Sequence, residues 1–359
     1  MPSAPRLALA LGLLLGARSV GADPPVRVVA VGDIALVGAV MTEARAGHDP
    51  FAAVRPLLTA ADLAVGNLEC VLSSRPVPSR GRSARPSVIL RAPCAGAQLL
   101  RGAGFDALSL ANNHAFDLGA AGARDSRGCV EAAGLRAVGA GATAAEARAP
   151  FRTTLGGLRV GLLAFAYDTN HPNGAGARVA LLDDDPVGAV RALRPTVDVV
   201  LVSLHWGVEF VHEPTAAQVR LAHALIDAGA DAVIGHHPHV LQGVEVYRGR
   251  PVVYSLGNFL FGPQPPPRDL SAALTLTLGR PGPGHSPLRA VTFTPVRVVG
   301  RRGTLQLATG PEGDGARSLL QRSSRRFGTH LRPDGGILRL DLGGAGVRPP
   351  PIHSPRSAR

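Results

Sequence analysis

The sequence predicts an α/β fold, and two observations carry that prediction. Five apolar runs each stop abruptly at a polar residue, and segments of helical periodicity lie between them. At 359 residues, 45% hydrophobic and 18% charged, the chain can bury a sizeable core, as one large α/β domain with an appendage or as two units. Its 44 glycines and 31 prolines follow no three-residue period, which excludes collagen, and its apolar content excludes a wholly disordered chain.

The strand-like runs are residues 28–31 ending at Gly32-Asp33, 63–66 ending at Asn67-Leu68-Glu69, and 107–111 ending at Asn112-Asn113-His114. Residues 199–204 then end at His205, and 232–235 end at His236-His237. Near-continuous apolar runs suit strands covered on both faces. The clearest helix spans 215–230: Thr215 and Gln218 form a capping box, Val219, Ala222, Leu225 and Ile226 share one face, and Gly229 can end it. Hairpins are predicted over 151–167, turning at Gly156-Gly157, and over 243–260, turning at Arg248-Gly249-Arg250. After Phe261 a Pro-rich stretch, 263–267, leads to alternating segments at 273–278 and 290–299, which read as strands of the same domain or of a small accessory sheet. The expected organisation is therefore a main domain over 23–262 and a β-rich extension over 263–345 that completes it. Residues 346–359 lack apolar periodicity and read as a disordered tail.

Residues 7–17 form an apolar run after Arg6 and before Val20-Gly21-Ala22, which predicts a signal peptide over 1–22 and an exported protein, periplasmic or extracellular. The alternative is a retained anchor or a buried helix. The run is short of the about 20 residues a span needs, and no later segment has 18 consecutive apolar residues, so no transmembrane span is expected in the mature chain. Three cysteines, Cys70, Cys94 and Cys129, allow at most one internal disulfide and leave one thiol over; none lies in a CxxC, and they read as packed core residues.

The net charge is 38 − 26 = +12, and every basic residue is arginine. Total absence of lysine beside heavy Ala, Gly and Pro usage reads as compositional bias. Without a helix-turn-helix, an aromatic RNA-binding pattern or a basic helix, nucleic acid is not expected as a partner.

Ligands in open α/β sheets collect outside the carboxyl ends of strands. Here those ends present Asp33, Glu69, Asn113 with His114, His205, and His237 with His239. Carboxylate, amide and imidazole without thiolate suit a hard or borderline divalent ion such as Mn, Fe, Zn or Mg. His237 and His239 flank Pro238, and alternate residues of an extended segment point the same way, so both can face one centre. Two carboxylates and several imidazoles exceed what one tetrahedral ion needs, which predicts two divalent metal ions. Each residue alone has a plain structural reading: Asp33 as a turn residue, Glu69 as a loop carboxylate, His205 as a satisfied polar group. Their recurrence at five strand ends carries the argument, as do three imidazoles in four residues, a costly core unless they bind something.

The stretches VGDIALVG (31–38), NLEC (67–70), ANNHAFDLG (111–119), LHWGVEF (204–210), IGHHPHVLQGVEVY (234–247) and YSLGNFLF (254–261) resemble the CapA family of capsule or poly-γ-glutamate synthesis proteins, itself similar to calcineurin-like metallophosphatases. The resemblance covers residues 27–262. It implies a two-sheet α/β sandwich holding a dinuclear metal site, with the C-terminal β extension beyond it. Carried over residue by residue, it makes Asp33 the first metal aspartate, places Glu69 where a bridging aspartate usually stands, and makes Asn113 a ligand through its amide oxygen. His114 becomes a proton donor or transition-state stabiliser, His205 the isolated metal histidine, and His237 and His239 the terminal His-x-His pair, with His236 a competitor. Ala35 stands where metallophosphatases carry a second histidine, and Asn-Leu-Glu replaces Gly-Asp-x-x-Asp.

In a hydrolytic site His114 would protonate the leaving oxygen, oriented by Asp117, whose alternative role is a helix N-cap. Trp206 and Glu209 read as packing and loop anchors. Asn258 could hold a loop near the metals and the substrate, or make a turn. Arg75, Arg80, Arg82, Arg85 and Arg91 follow Glu69 and could line an approach for an anionic substrate, with Arg75, Arg82 and Arg85 foremost; a solvated loop is the alternative. The function expected is an exported metal-dependent hydrolase acting on a phosphoester or an anionic envelope polymer, working with polymer-synthesis machinery. The alternative is a non-catalytic accessory or polyanion-binding component.

Overall fold

A computed structural model describes residues 24–76, 88–170, 176–282, 286–300 and 303–342. The predicted signal peptide, Arg80, Arg82, Arg85 and the tail at 346–359 lie outside the described residues.

Strand β1 (Val26–Ile34) sits in the middle of a ten-stranded sheet. Parallel to it in succession run β2 (Leu63–Leu68), β3 (Ala107–Ser109) and β4 (Arg136–Val138). Helices α1 (Ala39–Arg45), α2 (Ala95–Ala103) and α3 (Gly119–Ala132) occupy the crossovers.

The next stretch builds a six-stranded sheet. It opens with the expected hairpin, β5 (Phe151–Leu155) against β6 (Leu158–Ala166), and adds the parallel strands β7 (Val199–His205) and β8 (Ala232–His236). It closes with the second expected hairpin, β9 (Val244–Tyr247) and β10 (Arg250–Val253). Helices α4 (Pro186–Leu193) and α5 (Ala216–Asp227) connect the parallel strands. Thr215 caps α5 with Gln218 in the predicted box.

From there the chain returns to the first sheet. Strands β11 (Asn258–Leu260), parallel, and β12 (Leu270–Leu278), antiparallel, both pair with the edge of β1 that faces away from β2. Strands β13 (Leu288–Val299) and β14 (Thr304–Leu307), helix α6 (Asp314–Arg325), and strands β15 (Leu331–Asp334) and β16 (Ile337–Leu340) follow. The sheet order is β15-β16-β13-β12-β1-β2-β3-β4, so the C-terminal strands extend the first sheet and form no accessory one.

The packing explains why the parallel strands read as unbroken apolar runs. Val28, Ala30 and Val65 meet Val160, Leu162, Leu201 and Ile234 in one buried cluster between the sheets. On the outer face of the first sheet, Val29, Val31, Ala64 and Leu108 lie under Ala97 and Leu100 of α2 and Val130 of α3. Leu163, Val202 and Val233 of the second sheet lie under Val190 of α4 and Val219, Ala222 and Leu225 of α5. Four layers result, a two-sheet α/β sandwich with helices outside. The central strands are covered on both faces, so both residue parities are mostly apolar until the strand leaves the core.

The cysteines correct one expectation. Cys94, just before α2, is bonded to Cys129 in α3 across 35 residues of sequence, so only Cys70 is a packed core cysteine. Burial pushes the Cys70 thiol up to about 12, which makes it inert. A cross-link closing a loop of this length removes chain entropy worth about 3–4 kcal/mol from the unfolded state. We expect Cys94→Ser to lower unfolding stability by about that amount in guanidinium titrations without reductant. A loss below about 1 kcal/mol would show that the cross-link does not hold α2 to α3. Among the described residues, no helix is long and apolar enough to cross a membrane.

Candidate metal centre

Asp33 reaches the centre because β1 slips by one residue. Ala30 pairs with Val65 and Asp33 with Asn67, so three steps on β1 match two on β2. In regular alternation Asp33 would follow Val29 and Val31 onto the helix-covered face. The bulge turns it inward, to the side of Val65 and Asn67, as bulges beside functional sites do. Gly32 makes this possible, since a Cβ there would lie 1.9 Å from the Gly257 carbonyl oxygen, which itself accepts the Asp33 backbone N–H at 2.9 Å.

The Asp33 carboxylate is fully buried. Its Oδ1 accepts from Asn67 Nδ2 at 2.9 Å and its Oδ2 from the His237 backbone N–H at 3.1 Å. Burial pushes the carboxyl's pKa up, but the His236 and His239 imidazoles and the Asn67 amide outweigh it and hold the pKa below the usual range. Glu69 is the opposite case. It is fully buried, neither carboxylate oxygen has a hydrogen-bond partner, and burial followed by repulsion from Asp33, Glu209 and Asp117 raises its pKa well above the usual value. The nearest imidazole nitrogens stand off, His205 Nε2 at 3.5 Å and His239 Nε2 at 3.7 Å.

Around His205 Nε2 lie Asn113 Oδ1 at 2.8 Å, His237 Nδ1 at 3.1 Å and Glu69 Oε1 at 3.5 Å. Burial, followed by the neighbouring imidazoles, drives the His205 pKa well below the usual value, and burial brings His237 down to about 4. Both rings are therefore neutral near pH 7 and offer lone pairs. More lone pairs converge here than the available protons can satisfy, an arrangement that a cation resolves.

Three overlapping sets have ligand atoms all within 4.8 Å of one another: Asp33 with Glu69 and His239, Glu69 with His205 and His237, and Glu209 with His237 and His239. Oxygen and imidazole donors of this kind fit a hard or borderline divalent ion. The orphaned Glu69 carboxylate is the observation that makes the fit specific.

The structure brings the predicted residues of five strand ends together, with corrections. His237 and His239 do not converge by strand alternation. Their φ angles are 95° and 58°, so two left-handed residues around Pro238 aim the rings, a strained geometry that recurs at functional sites. His236 Nδ1 stands 3.5 Å from Asp33 Oδ1 and belongs to none of the three sets. Asp117 does not cap a helix. Its Oδ2 accepts from His114 Nδ1 at 2.8 Å and from the Leu90 N–H at 2.6 Å, and Leu118 takes the N-cap position of α3.

Asn258 packs against a histidine of the cluster. It is buried, its Oδ1 meets His239 Nδ1 at 2.9 Å, and it fixes that ring from below. The Arg75 guanidinium holds both oxygens of Asp125 at 2.7 and 3.2 Å. Trp206 is buried and donates to the Tyr254 carbonyl at 3.0 Å, the packing role expected of it.

Three residues were passed over by sequence reasoning. Glu209, read as a loop anchor, sits beside His237 and His239. Asn67 spans Asp33 Oδ1 and His205 Nδ1, the latter at 3.1 Å. Asn112 braces the next loop by donating to the Leu68 carbonyl at 2.8 Å and accepting from the His114 N–H at 3.2 Å. The signal for both asparagines is their place at strand ends, Asn67 two residues before Glu69 and Asn112 directly before Asn113.

Comparison with known proteins follows the same boundaries. The family model described as bacterial capsule synthesis protein PGA_cap matches residues 27–263. The PGA biosynthesis protein CapA of Bacillus subtilis (strain 168) is 34% identical over 245 residues, 64% of this chain and 62% of that protein. A probable polyglutamine synthesis accessory protein of Mycobacterium tuberculosis (strain CDC 1551 / Oshkosh) is 34% identical over 249 residues, 63% of this chain and 64% of that one. The match thus spans less than two thirds of either relative. Among solved structures, a 5'-nucleotidase from Candida albicans SC5314 superposes with a TM-score of 0.46 at 13% identity, covering 83% of this chain and 57% of that one.

Proposed function

The chain belongs to the bacterial capsule synthesis protein PGA_cap family, and from that premise we propose that it is an exported metal-dependent hydrolase of capsule or poly-γ-glutamate synthesis, cleaving a phosphoester or an anionic envelope polymer. The observation that carries this reading is the buried, unpartnered Glu69 carboxylate among neutral imidazoles, with a histidine–aspartate pair alongside. Export is supported by the Cys94–Cys129 bond, since such bonds persist in oxidising compartments.

Asp33, Glu69, His205, His237 and His239 would hold two divalent ions, with Asn113 and Glu209 adjoining. When bound, these ions would supply Lewis-acid polarisation of the substrate oxygen and stabilise developing negative charge. The remaining work falls to the chain itself. Asp117 accepts the His114 Nδ1 proton at 2.8 Å, which fixes the ring and leaves Nε2 as the atom that holds or delivers a proton. The Leu90 N–H anchors Asp117 from behind, so the pair is set before substrate arrives. His114 is close enough to depress the pKa values of His205 and His237, which places it beside the cluster.

The test is elemental analysis of the purified chain together with hydrolysis of bis-p-nitrophenyl phosphate, p-nitrophenyl phosphate and poly-γ-glutamate. We expect about two divalent ions per chain. His114→Ala should retain them and lose about 10²- to 10⁴-fold in turnover, the range for a general acid. Metal retained with no hydrolysis in the wild type would replace the hydrolase reading with polyanion binding. No metal uptake on reconstitution would end both.

A further inference from the structure

We propose that Arg268, seated on the ring of Phe210, is the specificity-determining residue that binds a substrate oxyanion beside the metal centre. The inference rests on the site reading above and adds to it the chemistry of the group recognised.

Arg268 precedes β12, and both ends of the residue are fixed beside His239. Its carbonyl accepts from Asn258 Nδ2 at 3.3 Å, and Asn258 Oδ1 holds His239 Nδ1. Its guanidinium carbon stands 4.8 Å from the centroid of the Phe210 ring, whose own centroid is 5.8 Å from that of His239. The carboxylate adjacent in sequence, Asp269, is engaged by Arg297. Among the described residues, Arg268 has no carboxylate partner and is half-buried, which contrasts with Arg75, Arg159, Arg194 and Arg297, each paired with an aspartate.

Phe210 is itself unusual. It is 49% exposed and has a φ of 63°, a left-handed conformation that a bulky side chain adopts only under constraint. The constraint is a hydrogen bond from its N–H to the Pro238 carbonyl at 2.8 Å, between the two metal-site histidines. The loop therefore accepts strain and leaves a large apolar ring in water, and what it achieves is a flat platform under a guanidinium at the edge of the cluster. Stacking leaves the in-plane N–H fork of an arginine free, and that fork matches a carboxylate or phosphate bidentately. Tyr167, 41% exposed, lies against His237 at 4.8 Å between centroids, a second exposed ring beside the cluster.

A substrate with its scissile bond at the cluster would thus place a second anionic group on Arg268. Two sources share this chemistry: a side-chain carboxylate of a γ-linked glutamyl chain, or a second phosphate.

The experiment is isothermal titration calorimetry on the full-length chain, metal-loaded, with tetra-γ-glutamate and with inorganic phosphate as separate probes. It compares wild type, Arg268→Gln, Arg268→Lys and Phe210→Leu. Metal content and thermal midpoint are measured on each, to separate a lost contact from a lost fold or centre. Arg268→Gln is expected to weaken one probe by about 10- to 100-fold with metal content unchanged, and Arg268→Lys to recover only part, because the ammonium lacks the fork. Loss for tetra-γ-glutamate identifies the carboxylate source, and loss for phosphate identifies the other. Unchanged affinity for both probes, or no binding of either to the wild type, overturns the proposal. Because the readout is binding, an absence of hydrolysis would count against the function proposed above and leave this test standing.

Discussion

Glu69→Gln is expected to abolish tight metal binding while making the metal-free protein more stable. The carboxylate is fully buried, both its oxygens lack hydrogen-bond partners, and burial followed by Asp33, Glu209 and Asp117 opposes its ionisation. A buried group left in that state costs about 1–3 kcal/mol. A neutral amide of the same shape removes a group whose ionisation the site opposes, so the metal-free variant should unfold about 2–6 °C higher in calorimetry with a chelator present. The same change removes an anionic ligand shared by two of the three donor sets. Added metal should therefore raise the midpoint of the wild type and leave that of the variant nearly unmoved, since a ligand stabilises only the state it binds. A metal-free variant that melts below the wild type would mean that Glu69 is a structural residue. A variant with undiminished metal content would remove it from the ligand set.

Gly32→Ala should damage both fold and centre through backbone alone. A Cβ at this position would sit 1.9 Å from the Gly257 carbonyl oxygen and 3.0 Å from its carbon, and neither is a flexible side-chain end that can move aside. Relief requires pulling β11 from β1, which breaks the Asp33 N–H bond to Gly257 and displaces both Asp33 and Asn258, register partners across those strands. We expect a loss of about 3 kcal/mol or more by urea titration, with metal content falling in parallel. Gly128→Ala is the control, because its Cβ meets nothing within 4 Å in the middle of α3. That change should stabilise by about 0.5–1 kcal/mol and leave the metals in place. Equal behaviour of the two variants would show that the close approach at Gly32 tolerates a side chain.

The two variants differ in what a reader of the sequence could have anticipated. Glu69 was visible because an apolar run that ends in a carboxylate marks a strand leaving a covered sheet, and five such ends recur. The two hairpins and the Thr215 capping box were visible for an equally local reason, since turn and cap chemistry is written in neighbouring residues. The role of Gly32 was not visible. Its counterpart is Gly257, more than two hundred residues away, and a bulge leaves no mark in hydrophobic periodicity.

The same division runs through the site. By itself the sequence determined the α/β class, the strand ends that bear Asp33, Glu69, Asn113, His205 and His237, and the oxygen-and-imidazole character of the donors. These follow from residue type and short-range pattern, which the chain carries before it folds. The tertiary structure alone decided which face Asp33 takes and that His237 and His239 converge through left-handed turns. It also decided that Asp117 holds His114, that Asn258 holds His239, that Arg75 is spent on Asp125, and that Cys94 finds Cys129. Each of these depends on one bulge, one φ angle or one distant partner, and such quantities are fixed only when two sheets pack and their loops must share the same space.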